Sequence, residues 1–226
     1  MVLVLASNSP RRKQILALGG WEFRVQVGEV DERWLPGEDP RQYVLRLAEW
    51  KARSVAKDVT SGSCVIAADT TVVDQSQGTP VILAKPSDAD EARSMLRQLR
   101  GRIHQVLTGL VVLNVTGAGI AMEREVVATD VEMRTYSDAE IDAYVATGDP
   151  LDKAGAYAIQ HVLFHPVERI NGCYANVVGL PLCALSRRLA KFGVQPQSDI
   201  ARHCQEAAPG DPCAVAPFVM DSSPGR

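Results

Sequence analysis

No apolar run in this chain approaches the ~20 residues of a membrane-spanning helix. The opening Met1-Val2-Leu3-Val4-Leu5 also lacks the basic start and the length of a secretory signal. The expectation is a cytoplasmic protein with no membrane partner. Strong charge of either sign is missing as well: a formal net charge of −3 argues against non-specific binding to nucleic acid, so no stable nucleic-acid partner is expected. The five cysteines are odd in number, form no C-x-x-C pair and have no histidine at zinc spacing. That excludes a disulfide framework or a zinc knuckle and leaves reduced thiols. There is no internal repeat. What is there is ordinary for a globular chain: 226 residues, 46% hydrophobic, enough to bury a sizeable core.

The chain reads as arranged around Cys64 to Pro86, CVIAADTTVVDQSQGTPVILAKP. Its first half has the β-branched residues and small alanines of a buried strand. Asp69 sits inside that strand with no turn residue or charged neighbour, and a buried carboxylate costs several kcal/mol unless a cation, metal or hydrogen bonds offset it. A hairpin loop from Asp74 to Pro80 and a short strand, Val81 to Ala84, return the chain at Lys85-Pro86. Two readings stay open: a structural Asp69–Lys85 pair, or a carboxylate facing a ligand.

Upstream, a strand from Val2 to Ala6 runs into Ser7-Asn8-Ser9-Pro10-Arg11-Arg12, with Ser9 as N-cap and Pro10 at the first helical position. Arginines in a first turn oppose the helix dipole, which makes sense where an anion also uses the free amides; otherwise they are two solvated surface charges. A strand from Phe23 to Val30 precedes Asp31-Glu32, and a helix from Pro40 to about Lys57 carries Val44, Leu47, Ala48 and Val55 on one stripe. Lys51 lies on that stripe and must either snorkel to water or meet an anion.

Downstream, capping patterns at Ser87 to Asp90 and Ser137 to Glu140 open two helices. Between them Ile103 to Leu113, interrupted at Thr108-Gly109, and Ile120 to Arg134 read as a hairpin. Asp152 to Gln160 reads as a loop feeding a strand beside a ligand, Asn171-Gly172 as a tight hairpin turn, and Leu182 to Leu189 as a final amphipathic helix. Five of the 13 prolines fall after Val194, among serines and glycines, so residues 195–226 read as a disordered or loosely attached tail behind a domain of residues 1–194.

These pieces together resemble the Maf family of nucleotide pyrophosphatases. The motifs are SNSPRR (Ser7 to Arg12), RLAEWKA (Arg46 to Ala52), AADT (Ala67 to Thr70), AKP (Ala84 to Pro86), Thr108-Gly109, DKAGAY (Asp152 to Tyr157) and NVVGLP (Asn176 to Pro181). The resemblance implies an α/β fold with an elongated mixed β-sheet flanked by helices and a central cleft, similar to inosine-triphosphate pyrophosphatases, in a homodimer. It implies hydrolysis of a nucleoside triphosphate to monophosphate and pyrophosphate with a divalent metal, Mg²⁺ or Mn²⁺. Asp69 is the implied proton acceptor; Asp69 and Glu32 are then the expected metal ligands, and Glu32 reads equally as a plain surface acid.

Ser7, Ser9, Arg12, Lys51 and Lys85 are the implied phosphate contacts. Arg11, Thr70 and Gln160 stand where members acting on dTTP and UTP carry these residue types, and members acting on 7-methyl-GTP tend to have tryptophan, glutamine and glutamate. An amide such as Gln160 offers a donor and an acceptor, as the edge of uracil or thymine requires. Trp50, Ala84 and His161 depart from the family pattern. The expectation is a dTTP/UTP pyrophosphatase. The alternatives are a house-cleaning enzyme for modified nucleotides and a non-hydrolytic nucleotide-binding regulator of cell division.

Overall fold

The computed structural model of the chain describes residues 1–76 and 78–208. Its strands are β1 (Val2–Leu5), β2 (Phe23–Val25), β3 (Ser63–Asp74), β4 (Val81–Leu83), β5 (Ile103–Thr116), β6 (Gly119–Met133) and β7 (Val167–Asn171). They form one mixed seven-stranded sheet in the order β2-β1-β3-β5-β6-β7, with β4 beside β3. β1 is parallel to β2 and β3, and the remaining pairs are antiparallel. Parallel neighbours need crossovers, supplied here by α1 (Pro10–Ala17) and α2 (Pro40–Ala56). The α/β architecture expected from sequence is the one observed.

One edge of β3 is shared between two partners. β1 pairs with Ser63 to Ile66, and β4 pairs with Val72 to Asp74. Between them, Ala67 to Thr71 has no strand on that edge among the described residues, and the sheet opens there into a cleft. Strand alternation assigns the two faces. Val65, Ala67 and Val73 join apolar clusters with α2, whereas Cys64, Ile66, Ala68 and Val72 join clusters on the opposite face.

That opposite face is covered in two groups. α1 with α5 (Tyr174–Val178), α6 (Leu182–Ala190) and α7 (Ile200–Ala207) pack beyond one end of the cleft, around Leu16, Leu180 and Leu185. α3 (Ala89–Leu99) and α4 (Asp138–Val145) pack beyond the other, around Leu96, Tyr136 and Ile141. The capping box expected at Ser137 and Glu140 forms, whereas α3 is capped one residue later than the pattern suggests, by Asp88.

Several expectations change. The strand expected to Val30 ends at Val25, because β1 ends at Leu5 and the chain then crosses α2 so closely that a Cβ on Gly28 would lie 2.2 Å from Ser54 Oγ. Thr108-Gly109 does not interrupt β5. Asn171-Gly172 is not a hairpin: Asn171 ends β7, and Gly172, with φ of 137°, passes against Thr129 of β6 before α5 begins. Asp152 to Gln160 leads into no strand and instead forms a tight turn at Ala154–Ala156.

The helix ending at Ala190 is not final. Residues 195–208, assigned from composition to a loose tail, dock on the core. Trp21 Nε1 donates to the Gln195 carbonyl at 2.9 Å, the Gln197 amide donates to the Gly19 carbonyl at 3.0 Å, and α7 buries Ile200, Ala201 and Cys204. The remainder of the expected tail, residues 209–226, lies outside the described residues. Among the described residues, no helix is long and apolar enough to cross a membrane.

Candidate active site

The cleft has a volume of about 660 Å³, within the usual range for a small-molecule site. Asp69 enters it from the bare edge of β3, only 8% exposed, pointing to the α2 face. Its ion-pair partner is Lys51 rather than Lys85: Lys51 Nζ lies 2.6 Å from Asp69 Oδ1. The same Nζ lies 2.6 Å from Glu32 Oε1. The lysine on the apolar stripe of α2 therefore meets anions and does not snorkel.

This meeting depends on Gly109, which stands opposite Asp69 in the β3–β5 register. A Cβ there would lie 2.3 Å from the Val44 carbonyl oxygen, so glycine lets α2 rest directly on the sheet. The Thr-Gly motif is a packing device in an unbroken strand.

Glu32 arrives on a loop held against α2. Tyr43 Oη donates to the Glu32 carbonyl at 3.0 Å, and Arg46 donates to both Glu38 oxygens at 2.6 Å and to the Arg33 carbonyl at 3.1 Å. The Arg46 guanidinium also covers the Trp50 ring at 4.6 Å, which gives that unusual position a contact outside the cleft. Burial pushes the Glu32 carboxyl up, but the hydrogen bond and charge of Lys51, with Lys85 and Arg12, outweigh it and hold the group below its ordinary value. Burial, then the charges of Asp69 and Glu32, push the Tyr43 phenol up to about 12, so it stays a neutral donor. Sequence reasoning missed Tyr43 and Arg46; the second opens the RLAEWKA motif and could have been found there.

On the other face, α1 begins as expected, with Ser9 Oγ accepting from the Arg12 amide at 3.4 Å. The Arg12 guanidinium turns inward. It donates to the Gly179 carbonyl at 2.8 Å, to Thr70 Oγ1 at 3.2 Å and to Ser7 Oγ at 3.3 Å. Thr70 is in turn 2.9 Å from Thr108 Oγ1, which donates to the Asn176 carbonyl at 3.1 Å. Burial lowers the Arg12 pKa, with Asp69 acting against that shift, and an arginine in this position stays charged.

Ser7, Ser9, Arg11, Lys85 and Gln160 line the same cleft, so the structure brings together every site residue expected from sequence. Burial raises the Tyr174 pKa, and the neighbouring Gln160 acts against that shift. His161 is occupied elsewhere, its Nδ1 accepting from the Phe164 amide at 3.0 Å. Ala84 uses its carbonyl to accept from the Gly155 amide at 3.2 Å.

The carboxylates of Asp69 and Glu32 converge on one point, because a single ammonium touches both. That point and the hard oxygen donors suit an ion of the magnesium class, which uses one or two carboxylates and completes its shell with water and substrate phosphates. Among the described residues no group of three or more His, Cys, Asp or Glu gathers into a cage. Two carboxylate side chains, Asp69 and Glu32, are the donors that could hold such an ion.

Comparison with known proteins gives a consistent result. The family model described as Maf-like protein matches residues 2–192. A protein of Anaeromyxobacter dehalogenans named dTTP/UTP pyrophosphatase is 50% identical over 192 residues, covering 84% of this chain and 94% of that one. A protein of Geotalea uraniireducens with the same name is 44% identical over 191 residues, covering 84% and 95%. Among solved structures, the nucleoside-triphosphatase / dITP/XTP pyrophosphatase of Mycobacterium abscessus matches with a TM-score of 0.37 and 19% identity, covering 58% of this chain and 74% of that chain.

Proposed function

The chain belongs to the Maf-like protein family, and on that premise we propose that it hydrolyses dTTP and UTP to the monophosphate and pyrophosphate. The observation that carries this reading is the cleft itself. One carboxylate on β3 is flanked by Lys51 and Arg12 across the two faces of the sheet, with Lys85 and Gln160 on the same walls.

In the reaction, Arg12 and the amides at the start of α1 bind the polyphosphate, and Lys85, which lines the same cleft, adds positive charge. The Arg12 guanidinium is already held by three neutral oxygens, so little ordering remains when phosphate arrives. In the free protein Asp69 Oδ1 holds the lysine ammonium; in the reaction Asp69 accepts a proton from the water that attacks the α-phosphorus. Asp69 and Glu32 are the residues that would hold a Mg²⁺ or Mn²⁺ ion, whose chemistry when bound is to neutralise charge on the phosphate oxygens and the pyrophosphate leaving group. Gln160 reads the pyrimidine edge through its amide, and Arg11 lies at the mouth beside the phosphate loop. The homodimer implied by the resemblance belongs to the same reading, and light scattering on the purified protein checks it.

Pyrophosphate release measured over a panel of canonical and modified nucleotides tests the function. Highest kcat/KM on dTTP and UTP supports it. Highest kcat/KM on modified nucleotides makes the chain a house-cleaning enzyme, and no release from any nucleotide leaves a binding protein. Gln160→Glu should lower kcat/KM for dTTP and UTP about tenfold or more, through loss of a donor to the base edge; unchanged selectivity would remove Gln160 from base reading.

A further inference from the structure

Lys51 does more than balance one carboxylate. Its Nζ is 2.6 Å from Asp69 Oδ1 and 2.6 Å from Glu32 Oε1. A magnesium ion sits about 2.0–2.1 Å from its oxygens, so a divalent ion bound by both carboxylates and the lysine ammonium compete for one position. Two like charges cannot share it, and an entering ion must expel the lysine. The expelled ammonium has a poor route to water: its side chain is 15% exposed and rises from the stripe of Leu47 and Val55. Desolvation makes an ammonium there costly unless an anion receives it. Asp69 is fixed in β3, whereas the Glu32 side chain is 53% exposed at the mouth and is the arm of the pair that can open.

We infer that Lys51 is a resident counter-ion, closing the Asp69–Glu32 pair to free divalent metal and yielding it when a polyphosphate enters to accept the displaced ammonium. The polyphosphate is named on the pyrophosphatase reading, but the exclusion of metal is a property of the free protein. Metal and nucleotide then bind with positive coupling, and by linkage each strengthens the other equally.

Mn²⁺ titration followed by electron paramagnetic resonance, without nucleotide, tests the exclusion on wild type and on Lys51→Met. The variant should bind Mn²⁺ about tenfold or more tightly than wild type, within the ~5–150-fold range of coupled sites. A folded Lys51→Met protein that binds no tighter overturns the inference.

Should the substitution unfold the chain, the unaltered protein decides, through the nitrogen-15 signal of the Lys51 ammonium. Mg²⁺ alone should leave that signal in place, and Mg²⁺ with an α,β-imido analogue of dUTP should move it. A signal that moves equally with Mg²⁺ alone, or with neither addition, overturns the exchange. Neither measurement reads turnover. A protein that shows both responses yet releases no pyrophosphate keeps the exchange and loses the function; one that turns over without either response does the reverse.

Discussion

Asp69 and Thr70 are consecutive residues, yet they organise opposite faces of the sheet in opposite electrostatic ways. On the Asp69 face, one ammonium is shared by two carboxylates, which leaves that wall with an excess of negative charge. On the Thr70 face, the Arg12 guanidinium donates to a carbonyl and two hydroxyls, all neutral, so no carboxylate is hydrogen-bonded to it in competition with an incoming anion. The gap in the β3 edge joins the two walls into one cleft. A metal-bearing polyphosphate is the ligand whose own charge separation matches this arrangement, cation to one face and phosphate to the other.

The comparison breaks most completely at Asp69. Asp69→Asn removes the negative wall's fixed member, and pyrophosphate release should fall by about 10²–10⁴-fold, the usual share of a general base. Nucleotide binding should persist, because Arg12 is untouched. A variant with near wild-type turnover would sink the assignment of the base.

Gly109→Ala attacks the same wall through packing. Its Cβ would meet the Val44 carbonyl oxygen at 2.3 Å and the Leu45 nitrogen at 2.7 Å, and neither backbone atom can rotate away. Lifting α2 should cost about 1–3 kcal/mol of stability, as overpacked cores do, and should lower kcat by moving Lys51, and the Glu32 loop held by Tyr43 and Arg46, out of the cleft. Urea melts and kinetics together check it; an unchanged midpoint would mean that α2 shifts freely.

Thr70→Val sharpens the contrast from the other side. It removes one neutral acceptor from Arg12 and the link to Thr108, a loss of about 1 kcal/mol that should raise KM roughly fivefold with little change in kcat. Equal loss in kcat would place Thr70 in the chemical step.

The smallest effect is that of pH on Glu32. Its folded-state pKa is depressed, so its contribution to stability is present above the ordinary carboxylate value and is lost as pH falls through the folded one. With the side chain 53% exposed, screening keeps this contribution small. Acid melts of wild type and Glu32→Gln should converge at low pH and separate slightly above it. A gap that widens as pH falls would show that Glu32 is not held ionised by Lys51.

Much of this was open to reading along the chain. Ser9 and Ser137 cap helices where their patterns place them, and the stripe through Leu47 and Val55 faces the sheet. The motifs at Ser7, Asp69, Lys85 and Asp152 converge on one cleft. The errors share a cause. Asn171-Gly172 and Thr108-Gly109 have the composition of turns, but each glycine serves a close approach to another element, which no neighbouring residue reveals. The docking of α7 was hidden because one short amphipathic helix was averaged with the proline-rich residues after it.

The sequence by itself determined where several of the strands and helices start, which residues of the α2 stripe face inward, and that a lone acid in an apolar strand needs a positive partner. Those are short-range matters of backbone preference and solvation, settled within a few residues. Only the tertiary structure decided that the partner is Lys51 and not Lys85, that Glu32 shares it, and that Arg12 is held by neutral oxygens. Such pairings depend on how far α2 descends onto β5 and where β1 and β4 leave the edge of β3 bare, and those distances are fixed by packing across the whole sheet.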